Sequence, residues 1–155
     1  MDSICIAPFD DLLHHPCVMG MEVAGGIING LCNALIIAMP NAEFLSLWRD
    51  RVKEFDPNDW NKLGVRDPWD ISRAAPSLIH IEPPESFFRT TWYPQDLADT
   101  HERVIHFERS YSLHLWESKT HHTTLKNITE ESVLTKDTSY NLLARKALGA
   151  GDEGL

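Results

Sequence analysis

Apolar and polar positions alternate between two periods along this chain. Residues 3–7 (Ser-Ile-Cys-Ile-Ala) are apolar and partly β-branched, and Pro8 stops them; they predict a buried strand at the very start. Residues 9–15 predict a turn or a single helical turn, and 17–23 a second strand broken by Gly25-Gly26. Residues 27–39 are apolar but carry Asn29, Gly30 and Asn33, and predict a loop leading into a buried strand or helix. Pro40 then opens a helix, with Asn41 as N-cap, and Phe44, Leu45, Leu47, Trp48 and Val52 give it an apolar face to about Phe55. Residues 56–70 are polar and rich in turn formers, with a short helix opening at 68–71. Residues 78–81, 104–107 and 111–116 predict short strands, and 83–100 an irregular stretch begun by Pro83-Pro84. Residues 137–148 predict a terminal helix capped by Asp137 or Thr138, and the last residues a frayed tail. Strands and helices alternate, so the class is α/β.

Composition bounds this picture. The chain has 155 residues, of which 43% are hydrophobic and 24% charged, enough for one domain with a real core. Its 14 basic residues against 23 acidic ones leave a net charge of −9, which repels phosphate backbones and argues against nucleic acid. No apolar run reaches the ~20 residues that span a bilayer, and no basic leader precedes an apolar segment. The three cysteines, Cys5, Cys17 and Cys32, form no CxxC and read as buried thiols, with one disulfide plus a free thiol as the alternative. No P-loop, G-x-S-x-G or G-x-G-x-x-G occurs.

Several ordered segments then resemble one family. Asp2 through Leu13 (Asp-Ser-Ile-Cys-Ile-Ala-Pro-Phe-Asp-Asp-Leu-Leu) is similar to the run that starts at the second aspartate of the DXD sugar-binding region in glycosyltransferases of fungal type, such as α-1,6-mannosyl- and α-1,4-galactosyltransferases. Residues 30–44 resemble the Asn-Ala segment that leads into Pro-Gly-His-Pro-Phe, with Asn41-Ala42-Glu43 departing from the usual residues. Residues 111–118 resemble the His-x-Trp segment, and 137–145 the terminal helix. Arg66-Asp67-Pro68-Trp69 departs from the usual Thr-Gly-Pro run, so the acceptor is not legible.

The resemblance implies a partial nucleotide-diphospho-sugar transferase (GT-A-like) fold: a mixed sheet with flanking helices, covering residues 1–148 and followed by a disordered tail at 149–155. The first aspartate and a Gly-Gly-x-Tyr run would belong upstream of residue 1, so the nucleotide-binding strands are expected to be missing. It implies retaining transfer of a hexose from a nucleotide sugar to a glycan or lipid acceptor, with Mn²⁺ or Mg²⁺, in the Golgi lumen; without the upstream half the chain alone is expected to be weak or inactive. Carried onto this chain, Asp2 and His114 are the expected metal ligands. Asn29, Gly30, Asn33 and Trp116 are the expected sugar-binding residues, and catalytic residues are not legible.

A developing negative charge on the departing diphosphate is the chemistry that a hard cation serves. Within the residues alone, alternation over 111–116 sets Ser112, His114 and Trp116 on one face and Tyr111, Leu113 and Leu115 on the other. A core histidine at 114, a structural amide at Asn33 and a core aromatic at Trp116 are the inert alternatives. Asp10 and Asp11 read as turn residues, and the pairs His14-His15 and His121-His122 point apart. Two further functions compete with a transferase. One is a non-catalytic module that pairs its opening strand with another chain; the other is a metal-dependent hydrolase, which lacks a coherent ligand motif.

Overall fold

The computed structural model describes residues 2–59 and 61–149; Met1, Trp60 and most of the expected tail (150–155) lie outside the described residues. Two small sheets carry the fold. β1 (Ser3–Cys5) pairs antiparallel with β5 (Ser112–His114), across more than a hundred residues of chain. The opening strand therefore already has a partner on one edge. β2 (Cys17–Ala24) is the centre of a mixed sheet: β3 (Ile27–Ala38) runs antiparallel on one side and β4 (His80–Glu82) parallel on the other. The α/β class and the mixed sheet with flanking helices agree with the expectation.

The β2–β3 hairpin explains why 27–38 is a strand rather than a loop. Gly25 and Gly26 sit at φ +60° and +77°, the left-handed pair of a tight two-residue hairpin turn. The register then runs from Ala24↔Ile27 to Cys17↔Ala38, with shifts between Met19 and Gly20 and between Glu22 and Val23 that absorb the polar Asn29–Gly30 and Asn33 positions.

The two faces of β2 bury different clusters. Cys17, Met19, Leu31, Phe44, Ile71 and Ile79 pack on the side of α1 (Glu43–Arg51) and α2 (Asp67–Ala74). Leu12, Val18, Cys32, Phe87 and Phe88 pack on the other, under α3 (Pro84–Phe87). A third cluster of Phe107, Leu113, Leu115 and Leu143 joins the β1–β5 ribbon to α7 (Ser139–Ala147).

Several elements differ from expectation, each for a local reason. Asn41 is not the cap of α1: at φ +63° it closes the preceding turn, and Ala42 occupies the N-cap. Within 56–70, Lys62–Arg66 is helical with a wide π turn and runs into α2. Within 83–100 there are two helices, α3 and α4 (Pro94–Glu102), each begun by a proline whose fixed φ suits a first helical position. Residues 104–107 form no strand, because Ser139 at the start of α7 takes the Ile105 amide with its hydroxyl (2.8 Å) and gives its own amide to the Arg103 carbonyl (2.7 Å). Sequence patterning assigned nothing to 117–136, where α5 (Glu117–Thr120) and α6 (Glu130–Thr135) form. Cys5 is exposed rather than buried, and all three cysteines are free. No helix among the described residues is long and apolar enough to cross a membrane.

Candidate functional site

The β1–β5 ribbon sets its two site residues side by side. Ser3 faces His114 in the register, and the Leu115 amide donates to the Asp2 carbonyl (2.8 Å), so the backbone of both residues is fixed. Asp2 Oδ2 and His114 Nε2 lie 2.9 Å apart. Asp2 Oδ1 accepts from the Glu117 amide at 2.7 Å, which orients the carboxylate. The pair is asymmetric: the Asp2 side chain is 51% exposed and that of His114 only 6%. Leu113 and Leu115 turn to the Leu143 cluster, whereas His114 and Trp116 turn to Phe88, as alternation requires.

Whether this pair suits a divalent cation can be tested on its spacing. Two donors bound cis to one octahedral ion at about 2.1 Å stand about 3.0 Å apart. The 2.9 Å between Oδ2 and Nε2 is a direct hydrogen bond, which a cation would have to replace, although carboxylate with imidazole is a donor set that Mn²⁺ accepts. Among the described residues no group of three or more His, Cys, Asp or Glu side chains forms a metal cage. A cation here would therefore take its remaining ligands from water and from a bound phosphate, the habit of nucleotide-associated metals. His114 Nδ1 is buried without a hydrogen-bond partner among the described residues, as is Thr90 Oγ1.

The expected sugar-binding residues divide. Asn29 stands opposite the second register shift and donates its amide to Glu22 Oε1 at 3.0 Å. Gly30 faces the helix side, where a Cβ would meet the Val65 carbonyl oxygen at 2.3 Å and φ is +148°. Asn33 is exposed, not the buried amide expected from its apolar surroundings; its amide lies against Gly64 at the edge of a groove of about 410 Å³ with Trp48 and Phe55. Asn33 and Gly30 thus lie on the helix-covered side of the sheet, away from Asp2 and His114. Trp116 is buried, its indole donating to the Thr90 carbonyl (3.0 Å) and its ring 4.1 Å from that of His114. It packs against the histidine rather than presenting an open platform.

Glu22 was missed by the sequence reading. It is 5% exposed in the middle of an apolar strand. The available signal was its parity, since an acid on the inward-facing set of a strand needs a reason to be there. A groove of about 610 Å³, lined by Glu82, Glu108, Arg109 and Tyr111 among others, contains none of the expected site residues. There Tyr111 donates to Asp11 (2.6 Å), and this bond is the main reason its phenol is pushed up to about 12.

Comparison with known proteins gives one clear likeness. The chain is 32% identical over 162 aligned positions to Glucan organizing enzyme 1 of Cryptococcus neoformans var. grubii. The match takes in 99% of this chain and 44% of that protein, so the chain spans less than half the length of the curated relative. The likeness is to a fungal protein named for glucan organisation. No family model matches, and no solved structure matches.

Proposed function

We propose that this chain carries the cation- and sugar-binding part of a retaining glycosyltransferase, one that moves a hexose from a nucleotide sugar to a glycan or lipid acceptor. The observation that carries this reading is the Asp2–His114 pair. Two residues 112 positions apart, which the resemblance sets in the DXD-like and His-x-Trp-like segments, meet in a direct 2.9 Å hydrogen bond. The likeness to a fungal protein named for glucan organisation supports a role in glycan biosynthesis.

In this reading Asp2 and His114 would hold Mn²⁺ or Mg²⁺. A bound cation supplies neutralisation of the charge that builds on the leaving diphosphate. The residues themselves do the positioning. The Glu117 amide fixes one Asp2 oxygen and leaves the other facing His114. Trp116 and Phe88 pack on the imidazole, limit its rotation and exclude water from its inner edge.

Calorimetric titration of UDP- and GDP-sugars in the presence of Mn²⁺ tests the reading. Saturable, metal-dependent binding that disappears in Asp2→Ala and His114→Ala is the expected result. Binding that survives both substitutions, or no binding by the unsubstituted chain, contradicts it.

A second reading, a non-catalytic interaction module, draws on the hairpin tip, where Ile27 and Ile28 are 67% and 49% exposed. It predicts concentration-dependent association lost in Ile27→Lys, together with indifference to nucleotide sugars.

A further inference from the structure

Asn127-Ile128-Thr129 has the pattern of an acceptor for an N-linked glycan: an asparagine, a residue other than proline, and a hydroxyl side chain two positions on. None of the other six asparagines has Ser or Thr at that distance. A triplet this short also arises by chance, so its placement in the fold has to carry the argument.

The triplet lies in the surface connection between α5 and α6. Asn127 closes a single 3-10 turn (Leu125–Asn127) and is exposed. Ile128 (φ −79°, ψ 125°) and Thr129 (φ −120°, ψ 161°) then leave that turn in extended conformation. Ile128 is half-buried and anchors the segment, while the residues on either side of it face solvent. The Asn127 amide makes one hydrogen bond, from Nδ2 to the Thr123 carbonyl at 2.9 Å. A primary amide has two hydrogens, and an N-glycosidic linkage replaces one and keeps the other. The linkage can therefore form while the bond to Thr123 persists. Beside Asn127 lies a groove of about 150 Å³ lined by His101, Thr124, Ser132 and Lys136 among others, a polar surface with room next to the amide. None of these residues belongs to the Asp2–His114 pair or to the groups that hold it.

The Thr129 hydroxyl has a second use. In the fold it caps α6, accepting the Ser132 amide at 3.1 Å. The hydroxyl that marks the acceptor in an unfolded chain is thus committed once α6 has formed, which places attachment before that helix is complete.

We propose that Asn127 carries an N-linked glycan when the chain enters a secretory lumen. The donor class is an oligosaccharide on a lipid diphosphate. The bond from Nδ2 to the sugar C1 forms, the bond from C1 to the diphosphate oxygen breaks, the amide proton passes to a base of the transferring enzyme, and the lipid diphosphate leaves. This modification is independent of the transferase reading above.

The test expresses the full chain in yeast behind a cleavable secretion leader and reads intact mass before and after peptide N-glycosidase. The lumenal chain is expected to carry one oligosaccharide, which the glycosidase removes with conversion of Asn127 to aspartate. Asn127→Gln and Thr129→Ala are expected to abolish the added mass. Thr129→Ser keeps both the acceptor hydroxyl and the cap, and is expected to retain it. Asn127→Gln, which alters only an exposed side chain, decides the matter if loss of the cap keeps Thr129→Ala from folding. Lumenal chain at the bare polypeptide mass, or added mass that persists in Asn127→Gln, overturns the proposal.

Discussion

The cysteines separate cleanly by environment. Burial pushes the Cys17 thiol up to about 11 and that of Cys32 to about 12, the latter with help from Glu22 and Asp2, so neither offers a thiolate near neutral pH. Cys5 is exposed, its thiol turned to the Ala7 carbonyl. Native protein at pH 8 is expected to take up one equivalent of iodoacetamide, on Cys5, and the denatured chain three; two native equivalents would refute the burial. Gly30 is constrained twice, by φ +148° and by the Val65 carbonyl 2.3 Å from where a Cβ would sit. Gly30→Ala is therefore expected to cost about 3 kcal/mol in chemical denaturation, since backbone strain and overpacking coincide. Sequence singled out Asp2 and His114 by motif order, and the fold brings their side chains into one hydrogen bond. It misjudged Asn33, whose exposure depends on the bulged register of β3, and passed over Glu22, whose burial depends on which face of β2 it takes.

Helices and strands were legible where a local signal had no competitor. The Gly25-Gly26 turn, the apolar β2 and the Thr138-capped α7 all form as patterned; the Thr138 hydroxyl accepts the Asn141 amide at 3.2 Å. Short elements escaped because their reasons are tertiary or lie in caps. α6 is held by a reciprocal box: the Thr129 hydroxyl accepts the Ser132 amide (3.1 Å), and the Ser132 hydroxyl accepts the Thr129 amide (2.9 Å). Thr129→Ala is expected to destabilise by about 1 kcal/mol, read as a lower urea midpoint with an unchanged slope. Two elements also carry acid sensitivity. His15, in the turn before β2, has its pKa lowered by burial and then by His80, stacked on it at 3.9 Å, and His14, against the opposing pull of Glu82. His101 in α4 is lowered by burial. Both imidazoles titrate near 6.5 in the unfolded chain and lower in the fold, so the unfolded state binds more protons between those values. Stability is thus full above pH 6.5 and falls as pH drops through the folded values. His101→Gln is expected to flatten that decline, and an unchanged pH profile would contradict the assignment.

At the scale of the molecule, two sheets meet around one site. The mixed sheet provides the face that carries Glu22 and Cys32, and the β1–β5 ribbon brings Asp2 and His114 over it, with Phe88 and Trp116 packed between. α1 and α2 close the opposite face, which is where Gly30 and Asn33 lie. Class and sheet type were legible from the alternation of elements, whereas the two-sheet division was not. Pairing of β1 with β5 is a contact between residues more than a hundred positions apart, and nothing local in Ser3–Cys5 names its partner. In the proposed function this long-range pair is a cation site. Paramagnetic broadening by Mn²⁺ in ¹H–¹⁵N NMR spectra tests it most directly. Resonances of Asp2, Ser3, His114 and Glu117 should broaden first and recover in His114→Ala, while those of His121 and His122 remain sharp at the same Mn²⁺ concentration. Broadening that begins elsewhere, or that persists in His114→Ala, would contradict the claim.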